Sequence, residues 1–129
     1  MKRLIITNNP KTAEYIKNRC GLQVPNTAIS PYELVFCASR EELYIRVRDR
    51  IHQNWQLQNH AMYGNIQLHK QPYRSMVLTE GSAPDIVSLQ LWEQAMERVK
   101  RSCLPEYPER VLEDFQALDF SLFTGIVAL

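Results

Sequence analysis

Three polar residues stand where an apolar run gives way to a helical pattern, a place suited to binding an anion. Asn8 and Asn9 follow the run that begins at Leu4, and Ser39 follows the run that ends at Ala38. A helix that begins at such a point presents backbone N–H groups and the positive end of its dipole to a ligand. We interpret Asn8, Asn9 and Ser39 as candidate ligand-contacting residues. The alternative is that they act only as helix caps and turn residues.

Arg48 and His52 form a second candidate, because residues four positions apart share one face of a helix. Arginine carries a permanent charge on a forked group, and histidine can donate a proton near neutral pH, so the pair could clamp an oxyanion. The alternative is a solvated surface, since Arg46, Arg48 and Arg50 alternate and cannot all point in one direction.

Residues 56–71 show no periodicity and are rich in histidine and aromatic side chains. Loops of this length within a compact domain are uncommon and are often functional. The candidate binding residues of this stretch, together with the tyrosine just beyond it, are His60, Tyr63, Gly64 and Tyr73. Two interpretations are equally open: the loop is a contact site, or it folds over the edge of the sheet and contributes to the core.

Metals and nucleotide cofactors are not expected, so the cofactor prediction is none. The three histidines and the three cysteines lack the spacings that bind zinc. Neither G-x-G-x-x-G nor the P-loop pattern occurs, and the chain has only four glycines. Cys37, at the end of an apolar run, is interpreted as a buried free thiol in a reducing cytoplasm, although a nucleophile could also stand there. Whether the protein catalyses a reaction stays open.

Apolar runs and helical patterns alternate three times along the chain. Strands are predicted at 4–7, 33–38 and 75–79, with a possible edge strand at 65–69, and helices at 10–20, 40–53, 85–103 and 109–118. Repeated strand–helix units favour parallel strands with helices on both faces, because parallel neighbours need a crossover connection. We therefore expect an α/β fold: a small three-layer sandwich with a three- to four-stranded, mainly parallel sheet and Rossmann-like topology.

The composition predicts a single domain without a charged partner surface. The chain has 129 residues, of which 45% are hydrophobic and 22% charged, as is ordinary for one globular domain spanning 1–129. The apolar residues 120–129 are expected to pack on that domain or at a homodimer contact. The net charge of +1 favours neither a nucleic-acid partner nor an anionic membrane. No apolar segment is long enough for a signal peptide or a membrane span, which favours a cytoplasmic location.

Several short segments spread over nearly the whole chain carry a family resemblance. They are Ile5–Pro10, Val47–His52, His60–Gly64, Gln71–Ser75, Leu112–Gln116 and Asp119–Leu122. Taken in this order, they resemble the GrdX family, small proteins encoded with the glycine, sarcosine and betaine reductase genes of anaerobic bacteria. One departure is Ala61, where the family pattern is expected to have a proline.

The resemblance implies a cytoplasmic accessory protein of amino-acid reduction, with no assigned activity and no catalytic residues to carry over. On that basis the expected partner is a reductase component, bound through the long loop and the neighbouring helix face. The alternative is a small-ligand binder or enzyme in which the two asparagines and the Arg48–His52 pair hold an anionic metabolite, such as an amino acid or an acyl phosphate. Both hypotheses place these groups around one rim, at the carboxyl ends of the strands.

Overall fold

The computed structural model describes residues 3–21, 32–58, 71–101 and 105–127. Within these ranges the chain forms, in order, β1 (Arg3–Thr7), α1 (Pro10–Gly21), β2 (Tyr32–Phe36), α2 (Arg40–His52), β3 (Gln56–Leu57), β4 (Ser75–Thr79), α3 (Ile86–Lys100) and α4 (Glu109–Val127). The mixed α/β class predicted from the sequence is confirmed.

The sheet has the strand order β2-β1-β4-β3, and its pairing corrects the predicted topology. β1 and β2 are parallel, whereas β4 is antiparallel to both of its neighbours, β1 and β3. The prediction of a mainly parallel, Rossmann-like sheet is therefore wrong. The physical reason is that α1 provides a crossover between β1 and β2, while β3 and β4 pair like the two arms of a hairpin. Asn54, with a left-handed φ of 75°, lies in the turn that leads from α2 into β3.

The antiparallel pairing brings three parts of the chain to one end of the sheet. Thr7, the last residue of β1, is paired with Phe36, the last residue of β2, and with Ser75, the first residue of β4. We call this end the rim. Residues 71–74, which precede β4, therefore lie beside Asn8 and Asn9, which follow β1.

Helices pack on both faces of the sheet, and strand alternation decides which side chain meets which helix. On one face, Leu4 and Met76 lie in a core cluster with side chains of α2 and α3. On the other face, Ile5 and Val77 pack with Phe123 of α4 and with α1.

α1 and α2 both begin at the rim, and the predicted N-cap residues Asn9 and Ser39 form hydrogen bonds to their first turns. Asn9 Oδ1 accepts a hydrogen bond of 3.1 Å from the backbone N–H of Lys11 in the first turn of α1. Ser39 Oγ accepts from the N–H of Glu42 at 3.1 Å, and the Glu42 carboxylate accepts in turn from the N–H of Ala38 at 3.0 Å. These reciprocal bonds satisfy N–H groups that a helix start leaves without partners.

Other element boundaries differ from the prediction. α4 continues to Val127 instead of ending near 118, and Phe123 within this extension is fully buried. β3 lies in a stretch expected to be loop, and Ile86, the first residue of α3, is exposed although it is apolar. The possible strand at 65–69 lies outside the described residues. Within the described ranges, none of the helices combines the length and the apolarity that crossing a membrane requires.

Candidate functional site

At the rim, Asn8 connects the end of β1 to the segment that precedes β4. Its Nδ2 donates to the carbonyl oxygen of Pro72 at 2.8 Å, and its Oδ1 accepts from the N–H of Arg74 at 2.9 Å. Both ends of the amide are thus engaged in hydrogen bonds within the chain, and the side chain is buried. Its geometry is that of a clamp on residues 72–74.

Asn9 belongs to a second set of buried hydrogen bonds, centred on Asp119 of α4. The Asp119 carboxylate accepts from Asn9 Nδ2 at 2.9 Å and from the Ser75 hydroxyl at 2.6 Å. The hydroxyls of Thr7 and Thr12 lie 2.8 and 2.9 Å from Ser75 Oγ. These bonds join α1, β1, β4 and α4 at one point.

The other candidates from the sequence have different surroundings. Ser39 caps α2, as described above, and Tyr73 is half-buried with its hydroxyl accepting from Gln116 Nε2 at 3.0 Å. His60, Tyr63 and Gly64 lie outside the described residues.

Arg48 and His52 line a groove of about 550 Å³ between α2 and α3, which we call the α2–α3 groove. Its apolar lining consists of Tyr44, Ile45, Ile51, Leu89, Trp92, Met96 and Val99. Its charged or titratable lining residues are Glu41, Arg48 and His52 on α2 and Glu93, Glu97 and Lys100 on α3. The groove is therefore an apolar trough with polar edges.

The structure divides the predicted site residues between the rim and this groove. α2 begins at the rim with Arg40, and Arg48 comes eight residues later, about 12 Å along the helix axis. Asn8, Asn9 and Ser39 consequently lie at the rim, whereas Arg48 and His52 share the groove. The described candidates do not form one cavity.

Two buried arginines at the rim were not among the predicted site residues. Arg40, in the first turn of α2, donates from Nη1 to the carbonyl oxygen of Gln71 at 3.3 Å, and its Cζ lies 5.6 Å from the centroid of the Tyr44 ring. Arg74 is fully buried. A signal for Arg40 exists in the sequence, because a cation in the first turn of a helix opposes the dipole and is unusual there. Met76 packs against α2 and α3. Arg74 stands two residues before Met76, and because side chains alternate along an extended chain, Arg74 belongs to the same face of the sheet.

Burial raises the pKa values of two titratable groups, Tyr44 and Cys37. Removal from water raises the pKa of Tyr44 to about 12, against the opposing effect of the Arg40 and Arg74 charges. Burial, helped by the charge of Glu42, raises the pKa of Cys37 to about 11. Cys37 is fully buried, and a protonated thiol is a weak nucleophile, so its geometry is that of a packing residue.

Across the described ranges, no group of three or more histidine, cysteine, aspartate or glutamate side chains is arranged to hold a metal ion.

A family model described as GrdX-like protein matches residues 4–128. The chain belongs to the GrdX-like family. Comparison of this GrdX-like chain with curated proteins and with solved structures gives no match. The family match includes both the rim and the α2–α3 groove.

Proposed function

We propose that this GrdX-like protein is a cytoplasmic, non-catalytic accessory protein of glycine, sarcosine or betaine reductase systems. It docks on a reductase component through the α2–α3 groove. The observation that carries the proposal is the groove itself, an apolar trough between two helices with charged residues along its edges. Family membership supports the setting in amino-acid reduction.

The apolar lining of the groove suits a protein partner. Ile45 in its lining is 50% exposed, and Leu89, Met96 and Val99 are half-buried along its α3 side. Protein interfaces commonly combine a central apolar patch with a polar margin. An occupant that covers these side chains gains the free energy of removing apolar surface from water.

The charges at the edges define the chemistry of the occupant. The charged or titratable residues are Glu41, Arg48 and His52 on the α2 side and Glu93, Glu97 and Lys100 on the α3 side, so each edge carries both signs. The best match is an amphipathic helix that inserts an apolar stripe, with basic residues facing Glu93 and Glu97 and an acidic residue facing Arg48. We therefore assign the groove to such a helix of the reductase component.

The alternative from the sequence, an anionic metabolite held by the two asparagines and the Arg48–His52 pair, has less support. The amides of Asn8 and Asn9 are used in hydrogen bonds that join secondary-structure elements. Arg48 and His52 are in the groove, about two to three helical turns away from the rim. That four-residue set would need to converge on one cavity to hold a small ligand.

Calorimetric titration with the purified components of the three reductases tests the docking proposal. Ile45→Arg places a charge on the apolar lining and is expected to weaken binding at least about tenfold, as loss of a central apolar contact does. Val87→Arg is the matched control, because Val87 is 61% exposed on α3 and does not line the groove. It should bind like the wild type.

Two results would contradict this assignment. One is the absence of binding to every reductase component, and the other is equal binding by Ile45→Arg and Val87→Arg. Light scattering on the same samples tests a third result, which would also contradict the assignment to a reductase component. If the wild type is a dimer that Ile45→Arg converts to a monomer, the occupant of the groove is a second copy of this chain.

A further inference from the structure

The two edges of the sheet differ in what lies against them. The sheet ends at β3 on one side and at β2 on the other. β3 has two residues, and the N–H of Leu57, which points away from β4, donates to Ser88 Oγ of α3 at 3.0 Å. β2 has five residues and, among the described parts of the chain, pairs with β1 alone. α3 therefore protects the β3 edge, whereas the described residues place no strand or helix bond on the outer edge of β2.

The backbone of β2 shows which groups lie on this outer edge, which we call the β2 edge. The N–H of Cys37 donates to the carbonyl oxygen of Thr7 at 2.8 Å, so Cys37 faces β1. Successive residues of a strand direct their N–H and C=O groups to opposite sides, so Val35 also faces β1, and Leu34 and Phe36 face outward. Such a row of donors and acceptors is a template for a further strand.

The side chains along the β2 edge are mostly apolar. Phe36 is 48% exposed, and Leu34 and Val35 are half-buried, while the charged side chain of Glu33 comes one residue earlier. Edge strands are commonly protected from pairing by charged side chains, proline or a bulge. Leu34, Val35 and Phe36 provide neither charge nor proline, and their pairing with β1 is regular. This pattern is typical of a strand that pairs with another strand.

We propose that β2 pairs with β2 of a second copy of this chain, antiparallel and about a two-fold axis at Val35, so that one sheet runs through a homodimer. In this register Leu34 of each copy lies opposite Phe36 of the other, and each of these pairs exchanges two backbone hydrogen bonds. Phe36 then packs beside an apolar side chain of the other copy. The β2 edge is thus complementary to itself, as a two-fold interface requires.

The charges on the neighbouring flank of α2 fit the same symmetry. A cavity of about 210 Å³ beside the β2 edge is lined by Ile6 and Val35 of the sheet and by Arg46, Asp49, Arg50 and Gln53 of α2. The midpoint of these four α2 residues falls between Asp49 and Arg50. A two-fold axis at Val35 makes the two α2 helices antiparallel, so Asp49 of each copy faces Arg50 of the other. Opposite charges therefore meet across the axis, which favours a second copy as the occupant.

This inference goes beyond the docking proposal, because the two surfaces lie on different sides of α2. The cavity beside the β2 edge and the α2–α3 groove share none of their lining residues. The homodimer therefore leaves the groove available to a reductase component, and either proposal can fail without the other.

Sedimentation equilibrium over a concentration series up to about 100 μM tests the pairing. The wild type should be a dimer, and Phe36→Arg should raise its dissociation constant at least about tenfold, because it places a charge on the β2 edge. Ile45→Arg is the matched control, since Ile45 is 50% exposed in the α2–α3 groove, and it should dimerise like the wild type. Phe36→Pro removes an outward N–H and no bond to β1, so it should fold and also dimerise more weakly.

Amide exchange of the wild type, measured by NMR, locates the interface. The N–H groups of Leu34 and Phe36 should exchange more slowly at concentrations that favour the dimer than after dilution, because the pairing bonds them. The proposal is overturned if the wild type is a monomer throughout the series, or if Ile45→Arg dissociates the dimer as much as Phe36→Arg does. A dimer in which these two amides exchange as they do after dilution overturns it as well. This last readout does not depend on whether the variants fold.

Discussion

At the rim, Asn9 and Asp119 are buried and bonded to each other, whereas Arg48 in the α2–α3 groove is exposed and donates to its neighbour Asp49. The rim bonds join residues that are far apart in the chain, such as Asn9 and Asp119, 110 positions from each other. The Arg48–Asp49 pair joins adjacent residues of one helix. Polar side chains at the rim therefore join different secondary-structure elements, whereas the Arg48–Asp49 pair in the groove does not.

This difference in burial and bonding distinguishes polar residues that stabilise the fold from polar residues that are available to a partner. A buried side chain whose donors and acceptors are bonded to several elements stabilises their arrangement. An exposed charge on the edge of an apolar groove adds little to stability, because water screens it, but it can contribute to the choice of a partner. Substitutions at the rim should thus lower stability, and substitutions in the groove should lower binding.

Asp119→Ala should give the largest loss of stability, about 3 kcal/mol. It leaves Asn9 Nδ2 and the Ser75 hydroxyl without their charged acceptor in a buried place. Urea unfolding measures the loss. Asp114→Ala, at an exposed position of the same helix, is the control and should change the free energy of unfolding by no more than about 0.5 kcal/mol. Equal effects of the two substitutions would show that the rim bonds are unimportant.

Asn8→Ala should lower the free energy of unfolding by about 2 kcal/mol, because two hydrogen bonds to the segment before β4 are lost. Asn18→Ala, at an exposed position of α1, is the control and should not destabilise the protein, since alanine is the better helix former. Thermal and urea unfolding both report the difference. A stable Asn8→Ala variant would return Asn8 to the list of ligand-contacting candidates.

Cys37, buried at the end of β2, gives a smaller effect that depends on pH. Because folding raises its pKa from 9.0 to about 11, the contribution of the protonated thiol is complete below pH 9. It is lost as the pH rises from 9 to 11. Over this window the wild type should lose about 1–2 kcal/mol more stability than Cys37→Ala. Urea unfolding at the two ends of the window measures it, and parallel losses in both proteins would contradict the buried, protonated thiol.

Arg48→Ala and His52→Ala should have the smallest effect on stability, within about 0.5 kcal/mol each, because both side chains are exposed. Both variants should nevertheless bind the reductase component more weakly than the wild type, since each removes a polar side chain from one edge of the groove. Thermal unfolding and calorimetric titration provide the two readouts. A loss of stability above about 1 kcal/mol would place either residue with the structural group.

The sequence predicts local features of this molecule better than long-range ones. The caps at Asn9 and Ser39 and the strand at 75–79 were predictable, because they depend on neighbouring residues. The direction of β4 was not predictable, since strand periodicity is the same in parallel and antiparallel sheets. β3 has only two residues, too few to show any period.

The site was predictable only in part, for the same reason. Arg48 and His52 share a helix face, and the structure places both in the α2–α3 groove. Asp119 was not among the predicted site residues, because its partners Asn9 and Ser75 come from distant parts of the chain. Arg40 and Arg74 meet around Tyr44 only after α2 has packed on the sheet. Pairings of this kind depend on the tertiary fold and not on spacing along the chain.

Hydrogen–deuterium exchange of the chain, alone and with the purified reductase component that it binds, tests the central claim most directly. The α2–α3 groove should be covered in the complex, so exchange should slow in the helical turns around Ile45 to His52 and around Leu89 to Val99. The face formed by α1 and α4 should exchange as it does in the free protein. Slower exchange confined to α1 and α4, with no change in α2 and α3, would contradict the account.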